Sequence, residues 1–320
     1  MSLIPNLLIA ILILFSAIIS HNRLPTPPSI CRSSTETIAF LSEINSINFF
    51  LLAGLSIYAQ LHLAASDLPE KDNPYVLTNN LISKIKFNYN QNNKINNSEI
   101  VDFYKKSFDI VSKNLKKIDT SETQIYRQNS EDLNCFRHFR IFNKFNVIPK
   151  FCFGCFKVTV QTETVLDLLK LYFVFDKLYL GLQNTRKLMI EERKDVSGNY
   201  KGFIYCSSVE EGENIKNKLK SILIKNLGTD CSISLKRGCS EFALKYPSYK
   251  KASANENEMM PYDETWKSLE EIVDNRTWNT DSKKGIIHPS LTGPTLRDIL
   301  IMRHWLLYAN KIGDNSFVKA

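Results

Sequence analysis

The chain has 320 residues, 43% of them apolar and 23% charged, which excludes a disordered chain and leaves room for one or two globular units. Seven cysteines, an odd number at irregular spacing, do not form the disulfide framework of a small secreted domain and point to a reducing compartment. The formal charge of +8 belongs wholly to the part after residue 66, because residues 1–66 hold only Arg23, Arg32, Glu36 and Glu43. Such a balance suits RNA, an anionic membrane surface or an anionic ligand, and equally a plain lysine-rich solvated surface.

Residues 3–20 run for 18 positions without a charge, enough for a transmembrane helix. No basic segment precedes them and no small-x-small cleavage site follows, so an uncleaved membrane anchor is expected. A second apolar run, 49–65, contains Gln60 and His62 and reads either as a second span or as a buried soluble helix. With one span or two, the lysine-rich remainder outweighs the other side, which places the main body in the cytoplasm. An AT-rich reading frame translated from too early a start produces the same Ile, Leu and Phe runs, and that alternative stays open.

Five regions follow from composition: a hydrophobic anchor region 1–66, a polar asparagine-rich linker 67–97, a helical segment 98–149, an α/β domain 150–245, and a C-terminal linker with docking helices 246–320. Within them, 88–97 lacks any hydrophobic period and reads as flexible. Ser98 can cap a helix over 98–118, with Val101, Tyr104, Phe108, Val111, Leu115 and Ile118 on one stripe. A second helix is expected over 130–145, with Phe136, Phe139 and Phe142 three apart, ended by Pro149.

From Phe156 the period changes in an informative order. Strand 156–161, helix 164–178, strand 187–192, a turn at 195–199, strand 202–207, helix 209–227 and strand 232–237 give β-α-β-β-α-β. This is the ferredoxin-like α+β pattern, an antiparallel sheet with the fourth strand beside the first. A polar linker follows Tyr249, then a helix over 263–275 and a last helix over 295–312 stopped at Gly313. The apolar side of that last helix (Leu296, Ile299, Leu300, Trp305, Leu306) is expected to dock on the domain.

Cys152 and Cys155 immediately precede the first strand of this pattern and Cys239 immediately follows the fourth, so the expected topology gathers three thiols at one sheet corner. Cys135 and His138, three apart on a helix, share a face that can approach the same place. Cys-x-x-His with Cys-x-x-Cys is an acceptable ligand list for a structural zinc ion, with Gly154 freeing the loop to turn. Five candidates for four places leave one bystander. An iron–sulfur cluster would use Cys135, Cys152, Cys155 and Cys239. Buried free thiols and a redox Cys-x-x-Cys are the alternatives. Copper-chaperone domains share the strand order, but their Cys-x-x-Cys follows the first strand, and the likeness fails on position.

The run Lys201-Gly202-Phe203-Ile204-Tyr205-Cys206 resembles part of the RNP1 motif of RNA-recognition domains. That resemblance implies Phe203 and Tyr205 stacking on bases from an open sheet face, with Lys157, Lys201 and Lys236 near phosphates. Ile204, Ser208 and the non-aromatic Lys157 and Thr159 depart from the pattern, and the alternative is that the C-terminal helix covers both rings. As an enzyme the chain offers Asp167, Glu191, Glu192, Glu241, His288 and His304, none in a spacing that demands chemistry.

Overall fold

Alternating apolar residues from Phe156 onward build the centre of the protein. The computed structural model describes residues 73–116, 118–128, 133–180, 184–194, 196–228, 231–278 and 292–320. The apolar runs 3–20 and 49–65 lie outside them, as does His288. Among the described residues no helix is long and apolar enough to cross a membrane.

The fold is mixed α+β, a five-stranded antiparallel sheet with flanking helices. In chain order the first elements are α1 (Pro74–Ile82), α2 (Asn97–Asn114), β1 (Gln124–Arg127), α3 (Cys135–Phe145), α4 (Lys150–Phe153) and β2 (Phe156–Thr162). Then come α5 (Val165–Lys177), β3 (Arg186–Ile190), β4 (Tyr200–Cys206), α6 (Val209–Leu227), β5 (Ser232–Arg237), α7 (Ser240–Lys245), α8 (Lys267–Trp278) and α9 (Leu296–Lys311). The strands lie in the order β1-β3-β4-β2-β5. Phe156 pairs with Arg237 and with Cys206, so the first and last strands of the β-α-β-β-α-β pattern run side by side. The edge strand β1, absent from the expected elements, adds Ile125 opposite Leu188.

Strand alternation splits the sheet into two chemically different faces. Val158, Val160, Leu188, Ile190 and Ile204 are fully buried on one of them, in the core shared with Leu168, Leu171, Phe175, Leu219 and Leu223. The side chain of Thr164 caps α5 at Asp167 N–H, and Ser208 caps α6 at Glu211 N–H. At the other end of α5, the buried Arg186 donates to the carbonyls of Phe175 and Leu178, groups the helix cannot satisfy by itself.

Gly202 lies on this helix-facing side, opposite Val160 and Leu188. A Cβ there would stand 2.7 Å from Leu171 Cδ2 and 2.9 Å from Phe175 Cε2. Its place in the RNP1-like run thus has a packing cause, the close approach of α5 to β4. Gly202→Ala is expected to cost about 1–3 kcal/mol through overpacking, read as a lower urea midpoint at unchanged slope.

The 67–97 region is more structured than its composition suggests. It contains α1, capped by Asn73 at Tyr75 N–H. The asparagine-rich stretch is fastened to α6: Asn226 Nδ2 lies within 2.6–3.3 Å of the carbonyls of Asn90, Gln91 and Asn93. Tyr89 Oη donates to Asn226 Oδ1 at 2.7 Å, and Ile95 beside it is buried. Residues 88–97, expected to form a flexible linker, thus meet α6 through the side chain of Asn226. One distant side-chain amide supplies the partners that the stretch lacks locally, and no local pattern can reveal it.

Candidate functional site

The other face of the sheet carries Lys157, Lys187, Met189, Lys201, Phe203, Tyr205 and Lys236, brought together by register. Lys157 stands opposite both Tyr205 and Lys236, and Lys187 opposite Phe203. Phe203 and Tyr205 are each 9% exposed, packed with Met189, Leu133 and Cys155. The sequence offered the C-terminal helix as their cover. The chain leading into and out of α3 and α4 does that instead, and little of either ring is left for a base to stack on.

Backbone contacts hold the adjoining corner together. Gly238 N–H donates to Cys155 C=O at 2.8 Å, which ties the end of β5 to the start of β2. Cys155 N–H reaches Cys152 C=O at 3.2 Å, and Tyr249 Oη donates to the same carbonyl at 2.7 Å. Gly238 has a φ of +55°, and a Cβ there would fall on the Tyr249 hydroxyl, so this turn needs glycine.

The four thiols Cys135, Cys152, Cys155 and Cys239 feel one another here. Burial pushes the Cys152 thiol far above its ordinary range, and the charges of Cys155, Cys239 and Cys135 push the same way. Burial raises Cys155 to about 12, with Lys157 pulling down and Cys239 and Cys135 pushing up. As they stand Cys152 and Cys155 are neutral thiols, and among the described residues no group of three or more His, Cys, Asp or Glu is arranged to hold a metal ion. His138 is buried and its ring stacks on Phe151 at 5.0 Å between centroids.

Two lysines complete the corner. Lys157 Nζ lies 4.0 Å from Cys239 Sγ, and the Nζ atoms of Lys157 and Lys187 both sit 5.2 Å from the Phe203 ring centre. Burial, then the neighbouring Lys157, lowers the Lys187 ammonium to about 8, with Cys239 and Cys135 opposing. Neither lysine has a carboxylate in salt-bridge contact among the described residues. Lys201, by contrast, is paired with Glu191 at 3.3 Å, and Lys236 is exposed. Lys187 was not singled out in the sequence. The signal was available in the alternation of Lys187 and Met189, which sends the lysine to the face opposite Leu188.

The acid and base candidates do not converge. Asp167 pairs with Lys170 at 3.3 Å on α5, Glu191 and Glu241 share Arg193, and His304 lies 3.5 Å from Glu192. Burial pushes the Glu191 carboxyl up, but Arg193 and Lys201 outweigh it and hold the group below its usual range. The Asp167–Lys170 pair lies within α5, whereas Arg193–Glu241 and His304–Glu192 join separate elements.

Comparison with protein-family models finds no match to this chain, and neither curated proteins nor solved structures yield one. The functional reading therefore rests on the residues themselves.

Proposed function

We propose that the chain is a non-catalytic binding or scaffolding module of ferredoxin-like type, tethered to a membrane through residues 3–20 with its body in the cytoplasm. Its thiol corner holds a structural zinc ion on Cys135, Cys152, Cys155 and Cys239. What supports the metal reading is the pair of ammonium groups, Lys157 and Lys187, beside these thiols, neither of which has a carboxylate in salt-bridge contact among the described residues. Four thiolates around one Zn²⁺ carry a net charge of −2, and the two lysines offset it. Without the ion the corner holds the buried Lys157 and the half-buried Lys187 with no carboxylate in salt-bridge contact among the described residues, a costly arrangement. Each sulfur turns on a single χ1 bond, so closing onto one ion asks for side-chain rotation about elements already tied together at Cys155 and Gly238.

Metal analysis of the full-length chain, purified without chelator in detergent, tests this. About one equivalent of zinc is expected, falling in Cys152→Ser and Cys239→Ser and unchanged in His138→Gln. Less than about 0.2 equivalents would leave only buried thiols. Iron with thiolate-to-iron absorption would assign the corner to an iron–sulfur cluster instead. Salt-dependent RNA binding lost in Phe203→Ala and Tyr205→Ala would move the reading to RNA, and it requires the Leu133 and Cys155 layer to leave those rings.

A further inference from the structure

An opening lies on the face of the sheet opposite the lysines, beside Arg237 and Phe156. It is a cleft of about 840 Å³ between the start of α6 and the chain segment 253–261. Its volume falls within the range of small-molecule sites, roughly 300–1,000 Å³. Phe153, Phe156, Val209, Met259, Met260 and Pro261 give it an apolar lining, and Arg237 is the one cation among the residues that line it.

Arg237 is 6% exposed and has no carboxylate partner among the described residues. Its Nε donates to Phe153 C=O at 3.0 Å and its Nη1 to Met260 C=O at 2.8 Å, and Nη2 has no hydrogen-bond acceptor among the described residues. The guanidinium is held between rings, its carbon 4.9 Å from the centre of Phe153 and 5.4 Å from that of Tyr249. A planar, fixed cation with no carboxylate partner among the described residues, at the wall of a cleft of mixed polar and apolar lining, suits recognition of a carboxylate.

The rest of the lining narrows the ligand. Glu210 and Glu256 stand exposed at the cleft, and they repel a second negative charge. Ser207, which could otherwise contribute donors, gives both its N–H and its hydroxyl to Glu211 Oε2. We propose that this cleft binds a small monocarboxylate with an apolar or aromatic body, its carboxylate on Arg237 Nη2 and its body against Phe153, Phe156 and Met260. This assignment is independent of the zinc reading.

Calorimetric titration of the full-length chain with 4-phenylbutyrate, 4-phenylbutanol and phenyl phosphate tests it. Binding of 4-phenylbutyrate is expected, with the alcohol and the phosphate at least about tenfold weaker, the effect of one charge-assisted pair. Arg237→Gln should weaken the carboxylate by about the same factor and leave the alcohol unchanged. Ala254→Trp, at an exposed wall position, should abolish binding of all three by filling the cleft, and it decides the matter should Arg237→Gln fail to fold. No heat from 4-phenylbutyrate up to about 5 mM overturns the proposal. So does equal affinity for acid and alcohol, preference for the phosphate, or undiminished binding in Ala254→Trp.

Discussion

Asp298→Ala is expected to lower stability by about 3–5 kcal/mol, because it removes the carboxylate that the buried Arg127 hydrogen-bonds and leaves only the longer contact to Asp176. The Arg127 side chain, at the end of edge strand β1, is completely buried, and its Nη2 donates to Asp298 Oδ2 and to Tyr172 Oη. Its Nε lies 3.4 Å from Asp176 Oδ1, a carboxylate that also accepts Gly293 N–H at 2.8 Å. One guanidinium thus pins β1, α5 and the start of α9 together. Asp298 has a second task as the third residue of α9: its carboxylate accepts Thr295 N–H at 2.9 Å while Thr295 Oγ1 accepts Asp298 N–H. Alanine removes both functions. Asparagine keeps the cap but not the charge, so Asp298→Asn should recover part of the loss, about 1 kcal/mol. Urea unfolding followed by far-ultraviolet circular dichroism measures both, and buried charges make the losses nearly insensitive to salt. A loss under about 1 kcal/mol for the alanine variant would mean that Arg127 finds another counterion.

The contrast between what the sequence announced and what it concealed has a physical basis. Residues 156–237 were legible because Phe156, Val158 and Val160 alternate without interruption, and because Thr164, Ser208 and Gly228 punctuate the helices where capping chemistry needs them. The proximity of Cys155 and Cys239 followed from topology alone, since it depends only on which strand ends are neighbours. Gln124–Arg127 was missed because four residues carry too short a period to distinguish a strand from a loop, and its partner β3 lies far along the chain. His138 and Cys135 share a helix face by spacing, yet spacing does not say that Phe151 will meet the imidazole. The cover over Phe203 and Tyr205 was misattributed for the same reason: alternation shows that a face is apolar, never which distant element lies on it. Arg237 gave no signal at all, since its surroundings arise from the meeting of Phe153, Tyr249 and Met260.

Trp305→Ala in α9 should be comparably damaging, about 3–5 kcal/mol, for reasons of volume and not of charge. Trp305 is the largest fully buried side chain among the described residues, and its helix packs against α1, α2, α5 and β1. Removing the indole opens a cavity among elements that are fixed from several sides: Tyr308 Oη donates to Glu191 C=O at 2.8 Å, and Arg303 Nη1 to Ile118 C=O at 3.0 Å. Such a site cannot collapse freely, which places the cost in the upper part of the range for large-to-small changes. The indole has a polar role too. Its Nε1–H donates to Thr123 C=O at 2.8 Å, immediately before β1, and so fixes the edge strand to the helix. Trp305→Phe separates the two contributions: most of the apolar area stays, the carbonyl of Thr123 loses its donor, and a loss of about 1–3 kcal/mol is expected. Hydrogen exchange gives the sharper readout. In Trp305→Phe the amides of β1 should exchange faster while those of β2 and β4 keep their protection, because the edge strand is held by α9 and the central strands by each other. Uniform loss of protection across the sheet would show instead that β1 and the centre open as one unit.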